Sequence, residues 1–345
     1  MALLPLLLLI LAISTDVEGA KKSFGMYDSN PVKKLFVFGD SYVDTGNFLH
    51  SGSYKPPSGI TFPGTPAGRF GNGRVLTDYL ASFLKIESPT PYALKNSSNL
   101  QNGINFAYGG TGIFKTLVDG PNVTTQIDSF EQLLKQNVYN KSDLDSSVVL
   151  LNAGANDYTT FALKNRSFLE IEQFTESLVK EKTSSLRRIH SLGPQKIAVG
   201  LLQPIGCLPT IAVISLYQSC IDLLNLVSKS HNKLMLQAVD DLNQEVGKPV
   251  FSALDLYSSF QSSIETMQKN HHDNSTLMNP LEPCCAPESA GYNCGKVDDN
   301  GEKKYSLCEN PELSFFWDNV HPSQNGWYSV FMQLQPSLGQ LTYKE

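Results

Sequence analysis

The sequence predicts a three-layer α/β/α protein in which a central, mostly parallel sheet of five strands is covered by helices on both faces. Short runs rich in β-branched residues recur along the chain, and they are apolar at successive positions, as is typical of strands buried on both faces. Amphipathic helical patterns alternate with these runs. The 345 residues contain no repeat, low-complexity block or long linker, so we expect one large domain.

The predicted strands and helices alternate along the chain. Five apolar segments bounded by turn residues are predicted to be strands: Lys34–Phe38, Ile104–Ala107, Ser147–Asn152, Lys196–Leu201 and Val250–Leu254. Apolar residues three and four positions apart indicate helices over Thr124–Gln136, from Ile171 to Ile189, from about Ile214 to Leu242, and over Ser323–Leu334. Functional residues of such sheets lie beyond the carboxyl ends of the strands, so those positions are the first candidates.

The first twenty residues are predicted to be a secretory signal peptide, which leaves residues 21–345 as the mature domain. Leu3–Ile13 is an apolar run of eleven residues, and the small residues Gly19 and Ala20 follow it. A membrane span needs about 20 apolar residues, so this run is too short to be one. The alternative is a buried N-terminal helix, since no Lys or Arg precedes the run.

Cysteines and glycosylation sequons also favour export to an oxidising compartment. The cysteines are even in number and lack C-x-x-C spacing, so disulfides fit them better than zinc. They are Cys207, Cys220, Cys284, Cys285, Cys294 and Cys308. N-x-S/T sequons predict a glycoprotein, and their asparagines are Asn96, Asn122, Asn140, Asn165 and Asn274.

The charge balance excludes some classes of partner. The chain has 27 Lys and Arg against 33 Asp and Glu, and no basic run could follow a phosphate backbone. We therefore expect neither nucleic acid nor an anionic membrane surface as a partner. No apolar run after residue 20 approaches membrane length, so no integral membrane segment is expected in the mature chain.

Three predicted strands end in small polar turns, which would meet at one edge of the sheet. The turns lie in FVFGDSYVDTGN, NFAYGGTG and GANDY. Ser41, in the first turn, is either a helix N-cap or a nucleophile. A serine that attacks an acyl carbon needs hydrogen-bond donors for the oxyanion, and Gly110 and Asn156 are candidates. Each of these two is equally ordinary as a turn or capping residue.

Among the six histidines, His321 is the best candidate for a catalytic base. Asp318 lies three residues earlier, close enough for its carboxylate to contact the imidazole and fix the tautomer. By itself, a D-x-x-H pair is also compatible with a structural role. His231 is expected to be a packed core residue, because it lies on the predicted apolar stripe of its helix with Cys220, Leu223, Val227, Leu234 and Ala238. The run His271–Asp273 lacks a third ligand at helical spacing, so no metal site is expected.

Together these segments resemble the plant GDSL esterase/lipases of the SGNH hydrolase superfamily. FVFGDSYVDTGN, NFAYGGTG, GANDY and WDNVHP occur in the family's order, and PAGRFGNGRVLTDYLA, LLQPIGCLP and the last four cysteines extend the resemblance from about Leu35 to Tyr328. It implies the flavodoxin-like SGNH fold. Tyr42 stands where the family's motif has Leu, from which we expect altered packing or substrate fit and retained activity. The G-x-S-x-G motif of α/β-hydrolases is absent from the sequence.

The resemblance implies a role for each candidate residue. Ser41 would be the nucleophile and His321 the base, with Asp318 orienting the imidazole. The backbone N–H groups of Ser41 and Gly110 and the side chain of Asn156 would form the oxyanion hole. The implied reaction is a ping-pong acyl transfer through an acyl-Ser41 intermediate, for which no metal or organic cofactor is needed.

The predicted function is a secreted carboxylic ester hydrolase that acts on a small-molecule or lipid ester. We expect a monomer in the apoplast, or alternatively in the vacuole. Two other functions stay open: an acyltransferase that passes the acyl group to a specialised-metabolite alcohol, and a catalytically silent glycoprotein that only binds. The sequence does not distinguish hydrolysis from acyl transfer, because the difference depends on the access of water to the acyl-enzyme.

Two further expectations concern the disulfides and the aromatic residues. Cys207 is expected to pair with Cys220, whereas the pairing of the other four cysteines is open. Aromatic residues near the predicted crevice would suit an apolar acyl or aryl group, but they are equally plausible as core: Tyr42, Phe48, Tyr108 and Tyr158.

Overall fold

The computed structural model describes residues 32–273, 278–289 and 292–342. The predicted signal peptide at residues 1–20 and the sequon at Asn274 lie outside the described residues, so both stay predictions.

A six-stranded parallel sheet forms the centre of the molecule. Its strands are β1 (Lys34–Gly39), β2 (Thr90–Pro91), β3 (Ile104–Asn105), β4 (Ser147–Asn152), β5 (Ile197–Gly200) and β6 (Phe251–Leu254). They lie in the order β2-β3-β1-β4-β5-β6, and every adjacent pair is parallel. The chain moves outward from β1 in both directions, so a crevice opens beyond the carboxyl end of β1, where ligands bind in sheets of this kind.

The sheet confirms the predicted fold class and corrects the strand count from five to six. Each of the five predicted strands is present to within two residues. The additional strand, β2, has only two residues, and one of them is Pro91. A segment this short carries no periodic signal, and proline is confined to sheet edges because it has no N–H to donate.

The described residues contain nine α-helices, which cover both faces of the sheet. They are α1 (Leu76–Phe83), α2 (Val123–Lys135), α3 (Lys141–Asp145), α4 (Ala155–Leu163), α5 (Ile171–Ser191), α6 (Pro209–Ala212), α7 (Asp222–Val246), α8 (Leu256–Asp273) and α9 (Gln324–Leu338). Side chains of α1, α8 and α9 pack on one face of β1, against Leu35 and Val37. Those of α2, α5 and α7 pack on the other, against Phe36 and Phe38.

The helix predicted from about Ile214 begins later, at Asp222. The chain before it forms a loop that a disulfide between Cys207 and Cys220 closes, as expected. Leu216 in this loop has a φ of +54°, a left-handed conformation that interrupts an α-helix. Apolar periodicity does not reveal such a local turn.

The predicted inward face of α7 was partly wrong. His231 is fully buried, as expected, but Leu223 on the predicted apolar stripe is 63% exposed. Near its N-terminus this helix turns polar side chains inward, because the loops after β5 present backbone groups that need partners. Asn225 accepts a hydrogen bond from Gly206 N–H, and the Asn232 amide both donates to and accepts from the backbone of Leu202.

A small hairpin lies in the chain between α8 and α9. Its antiparallel strands are β7 (Cys285–Pro287) and β8 (Tyr305–Leu307). Two disulfides, Cys284–Cys308 and Cys285–Cys294, hold it together, which resolves the pairing that the sequence left open. The backbone N–H groups of Cys284 and Cys285 donate to the carbonyls of Phe316 and Trp317, so the hairpin supports the chain just before Asp318.

Candidate active site

A tight turn after β1 places Ser41 at the edge of the sheet. Gly39 has a φ of +143°, and a Cβ at this position would lie 1.9 Å from the carbonyl oxygen of Asn152. Only glycine permits this approach. The Gln126 side chain holds the same residue, accepting from Gly39 N–H at 2.8 Å and donating to its carbonyl at 2.9 Å. Ser41 itself is 7% exposed.

His321 reaches the site from the loop that precedes α9. The Asp318 carboxylate accepts hydrogen bonds from the N–H groups of Val320 and His321, at 2.9 and 2.7 Å, which closes the loop on itself. The Ser323 hydroxyl caps α9 and donates to the carbonyl of Ser314. The loop is therefore fixed at its start by a carboxylate and at its end by a helix cap.

Asp318, His321 and Ser41 form a continuous chain of hydrogen bonds. His321 Nδ1 lies 2.9 Å from Asp318 Oδ2, and His321 Nε2 lies 2.9 Å from Ser41 Oγ. A carboxylate can only accept, so the hydrogen of a neutral imidazole lies on Nδ1 and leaves Nε2 free to take the serine proton. This is the arrangement by which a serine is activated as a nucleophile.

The environment favours an ionised Asp318 and a more basic His321. Burial alone would raise the pKa of Asp318, but the attraction of His321 and the hydrogen bonds to the carboxylate outweigh it, so the pKa is lowered. Burial alone would lower the pKa of His321, whereas the Asp318 carboxylate and, more weakly, Asp40 raise it above its ordinary value. His321 is thus a stronger base than a free histidine.

The three predicted oxyanion donors lie in the segments that follow β1, β3 and β4. Gly109 N–H donates to Asp44, whereas the N–H groups of Ser41 and Gly110 have no intramolecular acceptor within the described part of the chain. Asn156 lies in the first turn of α4, and its amide uses one hydrogen on the carbonyl of Thr111 at 3.0 Å. A second amide hydrogen remains for a ligand.

Two buried polar residues in the first motif hold the strand ends together, and sequence analysis assigned no function to either. Asp44 accepts from the N–H groups of Gly46, Asn47 and Gly109. Asn47 donates to the carbonyls of Asn105 and Ala107. Both lie within GDSYVDTGN, where polar residues recur at every third position of a buried turn. That recurrence is the sequence signal by which the two residues could have been identified.

The four aromatic residues predicted near the crevice divide into two pairs. Tyr42 and Tyr158 are buried, at 5% and 7% exposure, and belong to the core. Phe48 and Tyr108 are half-buried and stack with their ring centres 4.7 Å apart. Phe70, which was not predicted, lies 5.4 Å from the His321 ring and fills the space that a Cβ on Gly109 would need.

Four of the predicted sequon asparagines lie within the described residues. Asn122 and Asn140 act as N-caps of α2 and α3 through their side chains, and Asn96, Asn140 and Asn165 are exposed. Among the described residues no group of His, Cys, Asp and Glu could hold a metal ion. In the same part of the chain no helix is long and apolar enough to cross a membrane.

The position of Ser41 on the sheet and its contact with His321 match one class of hydrolase. A serine directly after the first strand of a flavodoxin-like parallel sheet, with Asp and His three residues apart near the carboxyl end, is the arrangement of the SGNH hydrolases. The nucleophile elbow and the widely separated Asp and His of α/β-hydrolases are a different solution to the same chemistry.

Comparison with known proteins gives the family. The model for the GDSL-like lipase/acylhydrolase family matches residues 35–334. Two GDSL esterase/lipases of Arabidopsis thaliana are 46% and 45% identical over 93% and 88% of this chain, and the alignments cover 91% and 88% of those relatives. Acetylajmalan esterase 2 of Rauvolfia serpentina is 29% identical over 89% of this chain and 91% of its own length. The chain belongs to the GDSL-like lipase/acylhydrolase family and is a carboxylic ester hydrolase.

Proposed function

We propose that this protein is a secreted serine ester hydrolase that works through an acyl-Ser41 intermediate. The observation that carries the proposal is the unbroken chain of hydrogen bonds from Asp318 through His321 to Ser41 Oγ. It connects residues 280 positions apart in the sequence, which chance packing would not align to hydrogen-bonding distance at both ends of one imidazole.

Acylation begins when an ester carbonyl lies against Ser41. His321 Nε2 takes the hydroxyl proton as Oγ attacks the carbonyl carbon, and Asp318 stabilises the imidazolium. The carbonyl oxygen becomes an oxyanion, to which the N–H groups of Ser41 and Gly110 and the Asn156 amide donate. His321 then gives its proton to the alcohol oxygen, so the C–O bond breaks and the alcohol leaves.

Deacylation repeats the same steps with water. Water attacks the acyl-Ser41 carbon while His321 removes one of its protons, and Ser41 Oγ leaves with that proton as the acid is released. An alcohol in place of water would give a new ester, which is acyl transfer. Comparing free acid with new ester after a candidate alcohol is added distinguishes the two.

The substrate proposed for this site is an ester with an apolar acyl or aryl group. The half-buried rings of Phe48, Tyr108 and Phe70 on the strand-end side of the molecule support it. Secretion is supported by three disulfides, which persist in oxidising compartments.

A serine-directed fluorophosphonate tests the mechanism. The reagent should add one adduct to the wild-type protein, and peptide mass spectrometry should locate that adduct at Ser41. The rate of p-nitrophenyl ester hydrolysis should fall in proportion to the fraction of protein that is labelled. Ser41→Ala should take no label and lose hydrolysis. Labelling of Ser41→Ala, or hydrolysis that survives the substitution, would overturn the proposed nucleophile.

A graded series of p-nitrophenyl esters tests the substrate class. We expect kcat/KM to rise with acyl length or with an aryl acyl group, and Phe70→Ala to change that preference. Equal values across the series for both proteins would contradict an apolar acyl site.

A further inference from the structure

A cluster of buried ionisable residues lies beneath the ends of β4 and β5, and the proposed reaction does not use it. Lys182, on α5, is fully buried, and Asp40, Asp157 and His231 are each no more than 3% exposed. Lysine is almost never buried without partners, because its ammonium group loses hydration. The structure must therefore recover that loss through specific contacts.

The Lys182 ammonium joins two strand ends. Its Nζ donates to the carbonyl of Ala153 at 2.9 Å and to that of Gly200 at 2.8 Å. The backbone pairing of β4 with β5 reaches Leu151 and Val199, and the two carbonyls lie one or two residues beyond it. Lys182 thus links the turn after β4 to the last residue of β5, at a point where the pairing of these two strands with each other has already ended.

The turn after β4 leads directly into α4, the helix that carries Asn156. Gly154 follows Ala153 directly, has a φ of +138° and precedes the first residue of α4. Asn156 lies in the first turn of that helix, so the direction of its side chain depends on how this turn is held. A displacement of the Ala153 carbonyl would rotate α4 and move the amide away from the oxyanion.

The same helix turn is tied to the loop that carries Gly110. Asp157 accepts from the N–H groups of Ile113 and Phe114, at 3.0 and 2.8 Å, and Asn156 donates to Thr111. These bonds make the start of α4 and the loop after β3 one unit. Lys182 attaches that unit to β5.

The charges in the cluster are mutually compatible. The positive charge of Lys182 lowers the pKa of both Asp40 and Asp157, although burial raises them overall, to about 7 and about 6. Burial lowers the pKa of Lys182 to about 8, against the opposing pull of the two carboxylates, so the ammonium stays mostly protonated at neutral pH. His231 adds no charge to the cluster, because burial lowers the pKa of its imidazole well below the ordinary value and keeps it neutral.

We propose that Lys182 is a positioning residue for ester hydrolysis, which sets the β4–α4 turn by joining the carbonyls of Ala153 and Gly200 and so directs the Asn156 amide at the oxyanion. The inference rests on the proposed function, in which Asn156 is an oxyanion donor. Lys182 acts through Asn156 and does not contact the reacting atoms.

A double-mutant cycle between Lys182→Met and Asn156→Ala tests the proposal. Asn156→Ala should lower kcat by about 10²–10³-fold, as is typical of a lost oxyanion donor. Lys182→Met should lower kcat by about 10–100-fold with KM changed less than about threefold, because the interaction strengthens only in the transition state. In the Asn156→Ala background, Lys182→Met should lower kcat by less than about threefold, since the donor it positions is already gone.

Lys180→Met is the matched control, since it makes the same substitution at an exposed position of α5. It should leave kcat unchanged. Circular dichroism and the thermal midpoint establish that each variant is folded. If Lys182→Met does not fold, Lys182→Gln, which keeps a neutral donor, enters the same cycle with the same expected coupling.

The outcomes separate the inference from the function on which it rests. An equal loss from Lys182→Met in both backgrounds would show a purely structural role and overturn the inference alone. A wild-type kcat in Lys182→Met would also overturn the inference alone. If Asn156→Ala keeps wild-type kcat while Ser41→Ala is inactive, the proposed oxyanion donor is wrong and the inference is overturned with it.

Discussion

The two halves of the candidate active site are held in different ways. The turn that carries Ser41 follows the central strand β1 directly, and its neighbours are strand-end backbone groups of β3 and β4. The loop that carries His321 lies outside the sheet and is held by a carboxylate, a helix cap and a hairpin with two disulfides. Strand pairing and buried polar side chains hold Ser41, whereas His321 depends on contacts within its own loop and on a disulfide-bonded hairpin.

The difference shows where the site is vulnerable. A sheet turn buried among six strands is stabilised by the whole core, so a single polar side chain contributes a modest share of its position. A loop outside the sheet depends on a few named contacts. Substitutions on the His321 side should therefore lower activity more readily than they unfold the domain.

The largest expected effect of this kind is that of Asp318→Asn. The amide cannot hold the same imidazole tautomer, so kcat should fall by about 10³–10⁴-fold while the fold is retained. Steady-state kinetics and circular dichroism measure the two. A loss of less than about tenfold would show that the loop backbone alone orients His321.

The disulfide Cys284–Cys308 should affect stability first. It closes a loop of 24 residues and lies next to the backbone bonds that hold Phe316 and Trp317. Replacing both cysteines by serine should reduce the free energy of unfolding by about 2–4 kcal/mol, which denaturant titration measures. On heating, this variant should lose activity at a lower temperature than it loses the circular dichroism signal of the sheet. Loss of both at the same temperature would contradict the view that the His321 loop is held independently of the sheet.

The pH dependence of kcat/KM reports the state of His321. Its pKa is raised above the ordinary value, and only the neutral imidazole accepts the serine proton, so activity should fall as the pH decreases through that raised pKa. The acidic limb should therefore lie above pH 6.5. Replacing Asp318 by Asn removes the charge that raises the pKa, so in this variant the residual activity should have its limb at lower pH. An unmoved limb would assign it to another group.

The smallest effect should come from Tyr42→Phe. The Tyr42 hydroxyl donates to the carbonyl of Val320 at 2.9 Å, which connects the residue after Ser41 to the residue before His321. Losing one such bond should lower kcat about three- to tenfold. Tyr139→Phe is the matched control, because Tyr139 is equally buried and donates to the carbonyl of Leu100, far from the site. Equal kinetics for the two variants would remove any role of Tyr42 in holding the loop.

The same contact explains the departure from the family's motif at Tyr42. The ring is buried against Trp327 and Phe260, and its hydroxyl reaches the His321 loop. The expected change in packing or substrate fit relative to Leu stays a prediction. The hydrogen bond could not be predicted, because its acceptor lies 278 residues away in the sequence.

Most of the fold was predictable because its signals are local. Buried parallel strands such as Ser147–Asn152 are continuous apolar runs, and α5 repeats its apolar residues at helical spacing. The errors fell where local signals are weak or misleading. Strand β2 is too short for a pattern, and α7 begins only after a left-handed turn.

The fold class, the family resemblance and the candidate residues Ser41, Asp318 and His321 could be predicted from the chain alone, since strand and helix patterns are local and the resemblance, carried by short motifs, implies a role for each of the three. The disulfide pairing of the hairpin and the burial of Lys182 against the ends of β4 and β5 became known only from the folded molecule. Hydrogen bonds and disulfides between distant segments depend on how helices and strands pack in space, and that packing leaves no periodic signal in the chain.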